Sequence, residues 1–119
     1  IYILKLVTDW MIQMGGVKYF EEKSIRQSSR LYEQLNSYKD FLLLPVCDYS
    51  KSRSNIIFKF ENNELEKKFL MEAGEKGIIG LNGHRSEGGV RISLYNSITD
   101  EMVDYLSEFI DQFFVSNGK

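Results

Sequence analysis

The sequence predicts an α/β (α+β) fold, in which a small mixed or antiparallel sheet carries helices on one side. Three observations favour this fold. Of the 119 residues, 43% are hydrophobic and 27% are charged, a composition typical of a folded globular domain. Apolar residues recur at spacings of three and four over the first third of the chain, which indicates helices. The remaining segments follow the order β-β-α-β-β-α, with no repeat or linker that would divide the chain.

Two helices are predicted first, over residues 1–14 and 17–38. Gly15-Gly16 separates them, because glycine readily adopts the left-handed backbone conformation with which helices commonly end. The second helix has an apolar side made of Val17, Phe20, Ile25, Leu31, Tyr32 and Leu35. The chain starts at Ile1 without an initiator Met or a capping side chain, so we expect it to be the C-terminal part of a longer protein.

Four short strands are predicted from runs of apolar, β-branched and aromatic residues. They lie at residues 41–44, 55–60, 77–81 and 90–95. The run at 41–44 precedes Pro45 and is too short for a buried helix. Segments 55–60 and 90–95 alternate between apolar and polar residues, which is the pattern of a strand with one buried face.

Two more helices begin at residues whose side chains cap helices. Asn62 or Asn63 caps the third helix, which Gly74 and Gly77 close, and Thr99 caps the last one. Carboxylates follow within the first turn of both helices, where they interact favourably with the helix dipole. The apolar stripe of the third helix contains Leu65, Phe69, Leu70 and Ala73. The core face of the last helix contains Met102, Leu106, Phe109, Ile110 and Phe113.

Composition excludes several classes of function. The 15 Lys and Arg residues and 17 Asp and Glu residues give a net charge of −2 without a basic run, so nucleic-acid binding is not expected. No apolar stretch reaches the roughly 18–20 residues that span a membrane. The single cysteine, Cys47, and the single histidine, His84, exclude an internal disulfide and Cys- or His-rich metal sites. Cys47 is expected to pack as a small apolar residue in a cytoplasmic protein.

The segment from Gly77 to Gly89 combines glycines with cationic side chains. It holds five of the nine glycines, which leave room for a ligand to approach the backbone. His84 and Arg85 lie inside this segment, and Arg91 follows on the next strand. An arginine fork binds carboxylate or phosphate through two hydrogen bonds, and a protonated histidine donates from both ring nitrogens. The pattern predicts a ligand with two anionic groups, one near His84-Arg85 and one near Arg91.

The same residues allow two interpretations without catalysis. A glycine-rich hairpin with two arginines is often only a turn whose charges face water. The cationic residues also suit a non-catalytic anion-binding or regulatory module of ferredoxin-like shape. The sequence shows neither a Ser-His-Asp order nor the spacing of metal ligands, so no metal site is expected.

A fourteen-residue segment, Gly83–Asn96, closely resembles the C-terminal signature of the phosphoserine aminotransferase family, Gly-His-Arg-x-x-Gly-Gly-x-Arg-x-Ser-x-Tyr-Asn. All nine specified positions agree in order and spacing. The similarity extends over essentially the whole chain and includes the Trp10 region with the Gly15-Gly16 break. Two positions depart from the family pattern, since Lys51 stands where many members carry Arg and Glu87 where a small or apolar residue is common.

The family consists of fold-type I, pyridoxal-phosphate-dependent enzymes that interconvert 3-phosphohydroxypyruvate plus glutamate with O-phosphoserine plus 2-oxoglutarate in serine biosynthesis. The resemblance implies that residues 1–119 are the C-terminal small domain with its lead-in helices, 1–14 and 17–38. It also implies a large domain, absent from this chain, that binds pyridoxal 5'-phosphate and supplies the Schiff-base lysine. No catalytic or cofactor-binding residue is then assigned here, because none of the ten lysines matches the family's cofactor-lysine motif. The chain alone is expected to be inactive.

The resemblance also implies roles for the cationic residues. Arg91 would hold the α-carboxylate of the substrate, and His84 and Arg85 would help to bind the phosphate or the side-chain carboxylate of glutamate. The implied partners are the large domain, a second subunit in a homodimer, and small anionic substrates, with neither nucleic acid nor a membrane among them.

Overall fold

The computed structural model describes residues 1–118, which form four helices and four strands. The helices are α1 Tyr2–Gln13, α2 Gly16–Ser37, α3 Asn63–Glu75 and α4 Asp100–Asn117. The strands are β1 Leu42–Leu43, β2 Asn55–Phe60, β3 Asn82–His84 and β4 Gly88–Ser93. A short 3₁₀ turn at Asp48–Ser50 joins β1 to β2. After the two opening helices the elements follow the predicted order β-β-α-β-β-α, and both the α/β class and the antiparallel sheet are confirmed.

The strands form one sheet in the order β1-β2-β4-β3, and each neighbouring pair is antiparallel. Ile57 lies opposite Arg91, and Asn82 lies opposite Val90. The connection from α3 therefore reaches the outer edge of the sheet before the chain returns along β4. This order places the β3–β4 hairpin at one edge, with β4 supported by β2 on its other side.

The third strand lies further along the chain than predicted. Residues 77–81 do not form it, because Gly77 and Gly80 have φ angles of +77° and +78°, which an extended strand does not accommodate. Ile79 is 84% exposed, whereas Ile78 packs against the core and Leu81 is buried in it, so the segment does not alternate as a strand would. Leu81 is the first residue to join the sheet, where its carbonyl oxygen accepts a hydrogen bond from Arg91 N at 2.8 Å.

One face of the sheet forms the core. Helix α3 contacts both β2 and β4, and α2 and α4 complete the apolar cluster. Phe69 of α3 lies at the centre, with ring centroids 5.1 Å from Phe109 and 5.0 Å from Phe113. The opposite face of the sheet, here called the open face, carries the alternating half-buried residues of β2 and β4 and lies outside this cluster. The residues of β2 and β4 that point into the core are Ile56, Phe58, Phe60, Val90 and Ile92.

The buried faces of α4 and α2 are rotated slightly about the helix axes relative to the faces predicted from the sequence. Met102 is 54% exposed, and Val103 takes its place in the core because the buried stripe of α4 runs through positions 103, 106, 110 and 113. In α2, Val17 is 80% exposed and Ile25 41% exposed. Polar residues of α2 are buried instead, since they bind the segment between β4 and α4: Lys23 Nζ donates to Asn96 O at 2.7 Å.

A ladder of polar contacts joins α2 to α4. Arg26 binds Asp100 at 2.9 Å, and one turn later Arg30 forms an ion pair with Asp104. Gln34 donates to Asp111 Oδ1 at 2.8 Å. The hydroxyl of Tyr38 donates to the same oxygen at 2.6 Å, while its ring stacks on that of Phe114. These contacts recur from Arg26 to Tyr38 and hold the second half of α2 against α4.

Helix α1 projects from this body and has no buried residue. It meets α2 at a break where Gly15 and Gly16 have φ angles of +120° and +71°. Trp10 packs on Phe20 across this break, with ring centroids 5.2 Å apart. The radius of gyration is 15.6 Å, larger than the roughly 13.5 Å of a compact domain of this length. None of the helices within residues 1–118 combines the length and the apolar character needed to cross a membrane.

Candidate functional site

The β3–β4 hairpin contains residues 83–93 of the signature segment, and its glycines are required by the backbone. Glu87 N donates to His84 O at 3.1 Å and closes the turn, after which Gly88 has a φ angle of +66°. A Cβ on Gly83 would lie 2.0 Å from the carbonyl oxygen of Gly88. Gly89 has a φ angle of +75°, and a Cβ there would lie 2.9 Å from Phe58 O. Side chains at these positions would therefore force the strands apart.

The structure brings His84 and Arg85 together and separates them from Arg91. His84 ends β3 opposite Gly88, and Arg85 follows it in the exposed turn. Arg91 lies in β4 between the buried residues Val90 and Ile92. Because side chains alternate between the faces of a strand, His84 and Arg91 belong to opposite faces of the hairpin. Three residues of β4, about 10 Å, also separate their positions along the strand.

Arg91 carries a polar atom that lacks a partner. Its side chain is half-buried on the open face of the sheet, opposite Ile57. Its Nε is buried, and within residues 1–118 it has no hydrogen-bond acceptor. A buried donor without an acceptor is costly, so this guanidinium group is suited to bind an anion supplied from outside the sheet.

Lys59 is a second cation on this open face, and the sequence interpretation did not select it. Its side chain lies along Gly89, since a Cβ added to that glycine would be 2.9 Å from Lys59 Cγ and 3.6 Å from Cε. The residue is half-buried, and among the described side chains it has no carboxylate within ion-pair distance. The alternation of 55–60 placed Lys59 opposite the buried face. Its nearness to Arg91 follows only from the pairing of β2 with β4.

The imidazole of His84 is held by the turn rather than by packing. Its Nδ1 lies 2.7 Å from Ser86 Oγ and accepts a hydrogen bond from Ser86 N at 3.3 Å. The ring is exposed, as are the neighbouring side chains of Arg85 and Glu87. Neither Arg85 nor Glu87 forms an ion pair with another described residue. The negative charge of Glu87 therefore leaves the Arg85 guanidinium available to a ligand.

Elsewhere in residues 1–118, two pockets are less suited to an anion than the hairpin is. Within residues 1–118 no three His, Cys, Asp or Glu side chains cluster in a way that would hold a metal ion. A pocket of about 190 Å³ lies between α2 and α4, but its cations Arg26 and Arg30 are already paired with carboxylates. A second, of about 270 Å³, is lined by Asp40 and Glu61 and suits no anion.

Cys47 does not pack in the core as expected, because it precedes the 3₁₀ turn on the surface and is exposed. Hydrogen bonds from Ser50 and Tyr49 lower the pKa of its thiol from the ordinary value. It lies far along the chain from the hairpin, and the nearby cation Lys51 is paired with Asp48.

The family model and the curated relatives that match this chain agree with each other. The sequence model of the aminotransferase class-V family matches residues 1–106. The chain is 40% identical over 113 residues to the phosphoserine aminotransferase of Geobacillus kaustophilus (strain HTA426), covering 95% of this chain and 31% of that protein. It is 37% identical over 119 residues to a probable phosphoserine aminotransferase of Dictyostelium discoideum, covering 98% and 32%. The chain thus spans about one third of the length of these curated relatives.

Solved structures show the same fold. The phosphoserine aminotransferase from Bacillus circulans subsp. alkalophilus superposes with a TM-score of 0.87 and 32% identity, over 91% of this chain and 30% of that one. A pyridoxal-phosphate-bound phosphoserine aminotransferase from Trichomonas vaginalis, at 24% identity, superposes with a TM-score of 0.79 over 87% of this chain and supports the fold alone. Since the family model matches residues 1–106 of 119, the chain belongs to the aminotransferase class-V family.

Proposed function

We propose that this chain is the C-terminal part of a phosphoserine aminotransferase. The enzyme would transfer the amino group of glutamate to 3-phosphohydroxypyruvate, giving 2-oxoglutarate and O-phosphoserine, a step of serine biosynthesis. The observation that carries the proposal is the hairpin, in which glycines without room for a Cβ present His84, Arg85 and Arg91. No feature of the described residues favours the alternative of a non-catalytic ferredoxin-like module.

Residues 1–119 would be the small domain with its lead-in helices, and the large domain would lie in the two thirds of the relatives that this chain does not span. The apolar side chains of α1 support this arrangement, because Ile3, Leu4 and Ile12 are at least two thirds exposed and need a covering surface. Pyridoxal 5'-phosphate would be bound by the large domain and would stabilise the negative charge that develops at the substrate α-carbon. The residues of this chain fit a substrate anion rather than the cofactor ring, since the open face presents cations without aromatic side chains.

Arg91 would bind the α-carboxylate of the substrate. It lies on a strand paired on both sides, so its position is fixed by the sheet, and its Nε has no acceptor of its own in residues 1–118. A guanidinium group held in this way orients the carboxylate through two charge-assisted hydrogen bonds. Lys59 would add a second positive charge to the same face and raise the local concentration of anionic substrates.

His84 and Arg85 would bind the phosphate of the substrate, or the side-chain carboxylate of glutamate. They belong to the opposite face of the hairpin and are displaced by about 10 Å along the strand from Arg91. A small substrate does not reach around the strand to contact both groups of one chain. We therefore propose a homodimer in which each active site takes Arg91 from one subunit and His84-Arg85 from the other.

We place the enzyme in the cytoplasm. Cys47 is exposed and the chain has no second cysteine with which to form a disulfide. An unpaired surface thiol is compatible with a reducing compartment.

Mixed dimers of the full-length enzyme test these proposals together. Arg91→Ala and Arg85→Ala homodimers should both be impaired in forming O-phosphoserine from glutamate and 3-phosphohydroxypyruvate. If each site is shared between subunits, a mixed dimer of the two variants contains one intact site and recovers about half of the wild-type activity. If each site belongs to a single chain, mixing restores nothing. Equal rates with 3-phosphohydroxypyruvate and pyruvate in the wild-type enzyme would refute the proposed substrate.

A further inference from the structure

We propose that Ser86 is a positioning residue that selects the tautomer of His84 with the hydrogen on Nε2 and directs that N–H at the substrate phosphate. The proposal deepens the proposed function of His84 and rests on it. The signature pattern leaves position 86 unspecified, so the resemblance assigns Ser86 no role. The argument depends on two contacts made by one residue to one ring nitrogen.

The first contact identifies the tautomer. Ser86 N donates to Nδ1 of His84 at 3.3 Å, and a backbone N–H has no capacity to accept. Nδ1 must therefore present its lone pair to the turn. In a neutral imidazole the hydrogen then lies on Nε2, which makes that nitrogen a donor.

The second contact strengthens the same arrangement. Ser86 Oγ lies 2.7 Å from Nδ1, and its hydroxyl hydrogen is free to rotate toward the nitrogen lone pair. In the other tautomer the hydrogen would lie on Nδ1. The Ser86 hydroxyl could accept that hydrogen, but the Ser86 N–H would then point at another N–H, which is unfavourable. Both donors of Ser86 thus favour one orientation of an exposed ring that has no buried surface to hold it.

The turn determines where the Nε2–H points. Ser86 lies inside the turn that the hydrogen bond from Glu87 N to His84 O closes, so Nδ1 faces the turn and Nε2 faces away from it. The charged groups of the turn are Arg85 and Glu87, and within residues 1–118 neither forms a hydrogen bond with the ring. Arg85 then supplies the positive charge and His84 supplies a directed N–H. The sequence-based expectation that His84 donates from both nitrogens does not suit this geometry, because Nδ1 is already an acceptor.

The test uses the full-length holoenzyme with Ser86→Ala, Ser86→Thr and the control Ser97→Ala, which changes another exposed serine in a turn. We expect Ser86→Ala to raise the KM for O-phosphoserine about three- to tenfold, the effect of losing one hydrogen bond, with kcat and the KM for alanine unchanged. Ser86→Thr keeps the hydroxyl and should restore the KM. Ser97→Ala should change neither KM.

Nitrogen NMR of ¹⁵N-histidine-labelled enzyme supplies a readout that stability does not affect, with the His84 signals assigned by their loss in His84→Gln. The wild-type ring should show the hydrogen on Nε2, and Ser86→Ala should show a mixture of tautomers. A wild-type ring with its hydrogen on Nδ1, or a spectrum and a KM that Ser86→Ala leaves unchanged, would overturn the proposal. If His84→Gln leaves the KM for O-phosphoserine unchanged, the phosphate role of His84 fails, while the tautomer spectrum still decides whether Ser86 orients the ring.

Discussion

Gly83 and Gly88 approach each other so closely that a Cβ on Gly83 would lie 2.0 Å from the carbonyl oxygen of Gly88. The contact crosses the hairpin just before the turn that carries His84 and Arg85. A glycine at this position therefore determines the separation of β3 and β4. The direction in which the cationic side chains leave the turn follows from that separation.

Gly83→Ala should disrupt the hairpin, because the backbone at Gly88 must shift to make room for a methyl group. We expect at least a tenfold loss of kcat/KM for O-phosphoserine and faster amide hydrogen exchange at residues 82–93. The matched control is Gly74→Ala in the last turn of α3, where a Cβ meets nothing within 4 Å. There alanine should leave activity unchanged and raise stability by up to about 1 kcal/mol. Equal exchange at 82–93 in both variants would contradict the close approach.

If Arg91 binds the substrate α-carboxylate as proposed, Arg91→Ala should weaken both half-reactions, because amino donor and keto acceptor present the same α-carboxylate. Losing a bidentate charge-assisted contact should cost on the order of 2–5 kcal/mol of transition-state binding. Arg91→Lys should recover only part of this, since an ammonium group does not reproduce the planar fork. The measurement is kcat/KM for O-phosphoserine, glutamate and alanine.

Two further variants test whether the loss of kcat/KM is specific to the Arg91 guanidinium group. Lys59→Ala removes the neighbouring charge and should produce a smaller loss with all three substrates. Arg53→Ala removes an exposed arginine whose nearest carboxylate, on Glu21, is 3.9 Å away, and should leave the kinetics unchanged. Wild-type kinetics in Arg91→Ala would remove the carboxylate assignment.

Arg85→Ala should discriminate between substrates. If Arg85 binds the phosphate, kcat/KM should fall far more for O-phosphoserine than for alanine, which has no second anionic group. Melting curves should remain close to wild type, because the side chain is exposed and has no ion-pair partner among the described residues. Equal losses with both substrates would exclude Arg85 as a phosphate ligand.

The link between Asp100 and α2 should depend on pH. The hydrogen bond from Gln27, together with Arg26, holds the pKa of Asp100 below its ordinary value. The pKa of Asp100 is lower in the folded protein than in the unfolded chain. The contact therefore stabilises the folded protein fully above about pH 4, and this contribution is lost as the pH falls through the folded pKa. Its size should be below about 1 kcal/mol, since the carboxylate is half exposed.

Asp100→Asn in the full-length enzyme should therefore lower the protection of amides at the start of α4 near pH 7. The difference from wild type should narrow as the pH falls below about 4, and close as the pH falls through the lowered folded pKa of Asp100. Asp40→Asn serves as the control, since Asp40 is exposed and contributes no contact to the ladder between α2 and α4. A difference that stays constant from pH 7 to 3 would mean that ionisation of Asp100 does not carry the effect.

Local signals explain why most elements were predictable. Asn62 Oδ1 accepts hydrogen bonds from Glu64 N and Leu65 N, and Thr99 accepts from Met102 N, so both caps act within three residues of the chain.

The third strand was misplaced because its apolar run contains glycines with positive φ. Their conformation depends on how α3 connects to the sheet edge and is not readable from the apolar pattern.

The candidate site was predictable only where its residues lie close together in the sequence. The spacing within the signature segment selected His84, Arg85 and Arg91, whose roles stay predictions. Their division between two faces required the pairing of β3 with β4. The position of Lys59 required the pairing of β2 with β4, which joins residues about thirty positions apart. Ser86 gave no signal in the sequence, because its importance lies in a contact with a side chain two residues away.

A small rotation at Gly15-Gly16, the break between α1 and α2, would produce a large displacement at the far end of α2. Its 22 residues extend over about 33 Å, so a rotation of about 10° at Gly15-Gly16 displaces the far end by about 6 Å. Because the ladder from Arg26 to Tyr38 ties α4 to α2, and aromatic rings of α4 pack on those of β2, both α4 and the sheet would follow such a rotation. A backbone change confined to two residues would thereby carry the whole cationic hairpin toward or away from whatever α1 is anchored to.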